Sequence, residues 1–107
     1  MAEPERVLGD IGSKLLFEND RVRVWELRLE PGAHSDIHRH DLDHLLVQIH
    51  GDKIAVIPES DSAGRYNDYM EGDAAPGNFV FVRRGGIESA RNTGEQEYYE
   101  LIIELKD

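Results

Sequence analysis

All five histidines of the chain lie between His34 and His50. His38 and His40 are two apart, so on a strand both imidazoles leave one face. His44 follows after the polar break Asp41-Leu42-Asp43. Neutral imidazole is a common ligand for divalent transition metals, so three such groups this close together point to a metal site. A fourth donor must come from elsewhere in the chain. Glu88 fits best, since it follows the glycine pair Gly85-Gly86 and alternates with Ala90 on one strand face. A glutamate among small inward residues is costly to bury alone, and a metal ion would be its partner. His34 and His50 read as loop or rim residues. Gln48 shares the face of His44 and suits either a bond to a ligand or a buried structural amide.

The elements that must position these groups are strands. Leu15–Glu18 reads as a short strand, with a turn at Asn19-Asp20. Arg21–Leu29 is a longer one, and its apolar alternation changes phase between Val24 and Trp25, which points to a bulge there or to a strand that serves two packed sheets. Short strands are expected at Ile37–His40 and His44–Ile49. Gly51-Asp52 predicts a hairpin that returns as Lys53–Ile57. Arg65–Glu71 is expected as a strand ending in a turn at Gly72-Asp73. Phe79–Val82, Ile87–Asn92 and Tyr98–Leu105 complete the set, the last with Tyr99, Leu101, Ile103 and Leu105 on one side. No segment carries a sustained helical period, and the spacing of turn signals predicts an all-β sandwich or barrel.

Size and composition narrow the functions open to such a fold. The chain has 107 residues, which fits one domain, read as an N-terminal leader at 1–12 and a folded domain at 13–107. It has no cysteine, so disulfide and thiolate chemistry are excluded. Twelve basic against 22 acidic residues give a net charge of −10. That surface repels phosphate backbones, so no nucleic-acid partner is expected. The apolar runs are too short to span a membrane, and the charged N-terminal residues lack the apolar centre of a signal peptide. A cytoplasmic protein without a membrane partner is the expectation.

The spacing of the histidine stretch resembles the first motif of the cupins. Gly32 is followed by five residues, then His38-Arg39-His40, then Asp41 to Asp43, and Gly51 closes the motif. His44 stands where the family has a glutamate. A second match starts at Gly77, runs through Arg83-Arg84-Gly85 and ends at Asn92, with Glu88 where the family has a histidine and Arg83 where it has a proline. The two ligand types look exchanged between motifs, leaving three histidines and one glutamate. The resemblance implies a single-domain cupin jelly-roll β-barrel holding one divalent transition metal ion (Fe, Mn, Ni, Zn or Cu) on His38, His40, His44 and Glu88. It also implies a pocket for a small-molecule ligand, with Gln48, Tyr99 and Trp25 as substrate-binding candidates, although such aromatic residues equally suit a core. The implied activity is metal-dependent turnover of a small oxygen-rich acid or diketone, by a dioxygenase, decarboxylase, isomerase or lyase step. The alternatives are a non-catalytic cupin that binds or senses a small ligand, and a barrel acting only in interaction. A homodimer is expected, because small cupins pair and an open sheet edge needs cover.

Overall fold

The structure is a computed structural model, described here for residues 7–63 and 68–107. Among the described residues the elements are nine strands: β1 (Lys14–Glu18), β2 (Val22–Leu29), β3 (His38–Arg39), β4 (His44–His50), β5 (Lys53–Pro58), β6 (Met70–Asp73), β7 (Phe79–Val82), β8 (Ile87–Arg91) and β9 (Tyr98–Leu105). One sheet has the order β1-β2-β9-β4-β7 and the other β3-β8-β5-β6, and every described pairing is antiparallel. The all-β class therefore stands, but the expected closed barrel is an open pair of facing sheets. The edge strands β3 and β6 have two and four residues. Strands that short offer too few ladder groups to join the second sheet to the first.

The turns explain where local signals misled. Gly51-Asp52 does not make a hairpin, because β4 pairs with β7 and β9 while β5 pairs with β6 and β8. The turn instead carries the chain from one sheet to the other. Gly51 has φ of 129°, and a Cβ there would sit 2.9 Å from Tyr98 Cδ1, so only glycine fits. The Asp52 carboxylate accepts from the Lys53, Glu95 and Gln96 amides and ties this crossing to the loop before β9. The turn expected at Gly72-Asp73 is strand, paired with Ile54 and Lys53. The part of the expected Arg65–Glu71 strand at 65–67 lies outside the described residues. The bulge expected in β2 lies in its partner: register shifts between Leu15 and Phe17 in β1, while β2 pairs with β9 without a break.

The core gathers between the sheets from Ile11, Leu27, Leu29, Ala90, Tyr98 and Ile102, with Trp25, Leu46 and Ile54 packed against them. Ile11 belongs to the segment read as leader, of which 1–6 lie outside the described residues. Its neighbour Gly9 donates its amide to the Ile37 carbonyl at 2.8 Å, which holds this segment on the sheets. On β9 the side holding Tyr99, Leu101, Ile103 and Leu105 is the half-buried outer one; Tyr98, Glu100, Ile102 and Glu104 face inward. Among the described residues no helix is long and apolar enough to cross a membrane.

Candidate metal centre

Cross-strand register builds the site. His38 and Glu88 are directly paired residues of β3 and β8, so the two side chains leave the sheet together. His40 follows β3, and its backbone is fixed at both ends by the glycine loop: its amide donates to Gly86 O at 2.8 Å, and its carbonyl accepts from Gly85 N at 2.9 Å. Gly86 also leaves the space that Glu88 needs, because a Cβ there would lie 2.6 Å from Glu88 Oε1. The result is that His38, His40 and Glu88 each offer a ligand atom, all within 4.8 Å of one another, and all three are buried.

The protonation chemistry suits a cation. His38 Nδ1 lies 2.8 Å from the Asp36 carbonyl. A carbonyl only accepts, so Nδ1 carries the proton and Nε2 keeps its lone pair. His40 Nδ1 is buried with no hydrogen-bond partner. Burial lowers the pKa of both rings, and the neighbouring imidazole of His44 lowers them further, so both are neutral ligands at pH 7. Burial pushes the Glu88 carboxyl up to about 7. Without a cation this cluster holds an orphaned nitrogen and a desolvated acid; a divalent ion satisfies both. The donor set present therefore fits a metal.

His44 is not brought into that cluster. Its ring is stacked on His40, with centroids 4.0 Å apart and planes 15° from parallel. Ring-nitrogen lone pairs lie in the ring plane, so those of two stacked rings run side by side instead of meeting at a point. His38 and His40, by contrast, meet edge to face at 90°. His44 Nδ1 is held 2.9 Å from the Leu42 carbonyl, and the ring faces Glu104, its register partner on β9, whose charge raises the pKa that burial lowers. The sequence reading of an exchanged ligand pair thus finds its carboxylate half in the cluster and its imidazole half beside it.

The other candidates separate cleanly. Gln48 lines a cavity of about 280 Å³ between the sheets, together with His38, His40 and Glu88. Its Oε1 accepts from the Ala75 amide, and its Nε2 donates to the Tyr98 hydroxyl at 3.3 Å. Tyr99 and Trp25 do not line the cavity. Tyr99 points outward, donates to Glu26 at 2.9 Å and lies under the Arg28 guanidinium at 4.0 Å. Trp25 Nε1 donates to Glu104 Oε1 at 2.7 Å. His34 and His50 are exposed, and each ring is held by a backbone carbonyl. Asp41 and Asp43 take Arg39 and Arg84, while backbone carbonyls orient His38 and His44. Asn92 is fully buried and binds the Leu29 and Gln96 carbonyls, which makes it a brace for the loop after β8.

Four polar residues that line the cavity had no site role in the sequence reading: Asp73, Asn78, Tyr98 and Glu100. Glu100 is buried, its Oε2 has no partner, and burial followed by the Glu88 charge pushes its pKa up to about 8. A bond from the Tyr98 hydroxyl acts the other way. The alternation along β9 was the available signal, but it singled out only the side holding Tyr99, Leu101, Ile103 and Leu105.

No family model matches the chain. The auxin-binding protein T85 of Nicotiana tabacum is 23% identical over 93 residues, covering 87% of this chain; the chain spans half the length of that relative. A cupin domain from Bordetella pertussis Tohama I superposes over 100% of this chain and 99% of its own, with a TM-score of 0.70 and 22% identity. An RmlC-like cupin with a double-stranded β-helix fold from Methanocaldococcus jannaschii covers 98% of this chain and 94% of its own, with a TM-score of 0.66 and 13% identity. Structural neighbours also include a polyketide cyclase, a sugar phosphate isomerase and a DMSP lyase, at 17%, 20% and 16% identity, of whose chains this one covers 57%, 52% and 40%. Two facing antiparallel sheets, a ligand cluster between them and these likenesses together establish that the chain has the cupin fold.

Proposed function

We propose that this protein is a metal-dependent cupin enzyme acting on a small oxygen-rich acid or diketone bound between its sheets. The observation that carries this is the convergence of His38, His40 and Glu88 on one buried point, with a histidine nitrogen left without a partner. Two imidazoles and a carboxylate occur both in catalytic zinc sites and around non-haem iron, and either leaves positions open for a ligand. A divalent ion there would supply Lewis-acid polarisation of a ligand oxygen. The chain's own part is to fix three donors on paired strands and to exclude water with the apolar walls of the cavity. Structural neighbours named as a polyketide cyclase, a sugar phosphate isomerase and a DMSP lyase support a catalytic reading.

A second reading is a binding protein without turnover. It is favoured by the tobacco relative, which is named for the small ligand it binds. Both readings need the metal. Untagged protein should carry about one divalent ion per chain by elemental analysis, His40→Ala and Glu88→Ala should lose it equally, and His44→Ala should retain most of it. Equal metal content in Glu88→Ala and the unaltered protein would remove the carboxylate from the ligand set. A panel of small acids and diketones, with O₂ uptake recorded, then separates enzyme from binder. This reading also takes the protein as a cytoplasmic homodimer, with the exposed edge strand β1 (Leu15, Leu16, Phe17) as contact. A monomer mass in sedimentation at working concentration would reject the dimer.

A further inference from the structure

We propose that Glu100, held by Tyr98 and Gln48, is the ligand-recognition group of the cavity, and that it selects a neutral hydroxylated carbonyl compound over a carboxylate anion. This rests on the metal-dependent reading and narrows its small oxygen-rich ligand to a neutral one, setting aside the acids. Glu100 sits on the inner face of β9, the middle strand of the five-stranded sheet, between Leu27 of β2 and Gln48 of β4. The candidate ligands come from the opposite sheet and the loop beside it. The cavity therefore has a metal-binding wall and, from the facing sheet, one acidic group.

That group is built as an acceptor awaiting a donor. Glu100 is 5% exposed, it lines the cavity, and its Oε2 has no hydrogen-bond partner. The chain fixes its position through a directed relay: the Ala75 amide donates to Gln48 Oε1, Gln48 Nε2 donates to the Tyr98 hydroxyl, and that hydroxyl bonds the Glu100 carboxyl. A buried acceptor with a defined position and no partner is expensive unless something supplies a hydrogen. Leu46, Ile54, Val56, Val80 and Ile102 are apolar and offer none, and the Asn78 amide, which also lines the cavity, makes no bond to Glu100 Oε2. A ligand hydroxyl fits.

Charge sets the remainder of the ligand. A divalent ion beside Glu88 leaves a surplus positive charge that would attract an anion, since the other lining carboxylate, Asp73, is exposed and screened by water. Above about pH 8, where the buried Glu100 carboxyl is ionised, its charge cancels that surplus. A ligand carboxylate then meets a like charge, whereas a ketone oxygen on the metal and a hydroxyl on Glu100 meet none.

Cobalt-loaded protein above pH 8, where Glu100 is ionised, tests this with a matched pair, hydroxyacetone and glycolate, which share a hydroxyl and differ in charge. Binding is read from the cobalt absorption bands, after metal content has been measured. Glu100→Gln should weaken hydroxyacetone about tenfold or more, because a charge-assisted acceptor is lost, while glycolate is unchanged or tighter. Tyr98→Phe, which frees the carboxyl without removing it, should shift hydroxyacetone the same way by less. Equal affinities for hydroxyacetone in all three proteins would overturn the assignment, as would an equal loss for both ligands. Loss of cobalt from Glu100→Gln would overturn it in favour of a fourth metal ligand. Failure of the unaltered protein to hold cobalt would sink the metal-dependent reading and this one with it, and the metal assay reports that before any ligand is added.

Discussion

Glu100 and Glu104 stand four residues apart on the same face of β9, and both are buried, at 5% and 4% exposure. Their surroundings differ completely. Glu104 Oε1 accepts from the Trp25 indole at 2.7 Å, and Arg23 Nε sits 3.4 Å away. Glu100 has the Tyr98 hydroxyl and a second oxygen with nothing. Strand register decides which is which. The cross-strand neighbours of Glu104 are Arg23 and His44; those of Glu100 are Leu27 and Gln48. A buried carboxylate is tolerated where a cation and an N–H replace its water. Glu104 has those replacements and holds the fold; Glu100 lacks them and faces the cavity.

The largest expected effect breaks the satisfied member. Glu104→Ala strands the Trp25 N–H and removes the counter-charge of Arg23. Since Arg23 is about one-third exposed, water takes over part of that loss, and the expected cost is about 2–3 kcal/mol. Glu100→Gln strands no donor cation, and at pH 8 it should leave the metal-free protein as stable or more so. Urea denaturation of both metal-free variants at pH 8 measures the contrast. If Glu104→Ala costs no more than a few tenths of a kcal/mol, the two glutamates do not differ in the way their contacts indicate.

A pH series sharpens the same contrast. Glu100 is raised from 4.5 to about 8 in the folded protein and Glu88 to about 7. The unfolded chain therefore releases these protons first, and the stability of the metal-free protein falls as pH climbs from about 4.5 to about 8. The histidines work in the opposite direction. Burial lowers His38, His40 and His44 below 6.5, so the stability they confer is present above that pH and lost on acidification. Glu100→Gln should flatten the alkaline slope, by an amount on the order of a few kcal/mol across the window. Denaturation midpoints at half-unit pH steps would show it, and an unflattened slope in Glu100→Gln would mean that this carboxyl is already ionised in the fold.

The sequence made the wall with the candidate metal cluster legible and left the facing sheet dark, for a physical reason. Histidines at a spacing of two and a glutamate after paired glycines are rare types with strong chemistry, so type and spacing alone brought out His38, His40 and Glu88. The glycines then did what such residues do, as Gly86 gives the Glu88 carboxyl its room. On β9 the types misled. Four aliphatic and aromatic residues alternate with a set holding two glutamates, and a strand of that kind ordinarily hides the apolar side. Here the outer side is half-buried and the glutamates are the inner ones, which only the register with Arg23 and Gln48 explains. The Gly51-Asp52 turn misled in the same way, because a turn signal carries no information on which strand will pair. His44 was placed by motif spacing, and spacing does not set a ring's orientation.

The finest test compares the neighbouring tyrosines of β9, whose rings leave opposite faces. The Tyr98 hydroxyl lies inside, accepting from Gln48 and bonding Glu100. The Tyr99 hydroxyl lies outside, where its bond to Glu26 raises its own pKa and the Arg28 guanidinium covers its ring. Removing a hydroxyl that donates to a buried carboxylate leaves that charge worse solvated, so Tyr98→Phe should cost about 1 kcal/mol above pH 8, where Glu100 is ionised. Below pH 7 Glu100 is protonated and the cost should shrink, because a neutral carboxyl depends less on the donor. Tyr99→Phe should cost a few tenths of a kcal/mol at either pH, since water replaces an exposed bond. The sequence reading assigned a pocket role to Tyr99, and the structure gives the inner position to Tyr98. A pH-dependent penalty at Tyr99 and none at Tyr98 would reverse that assignment and turn the inner face of β9 around.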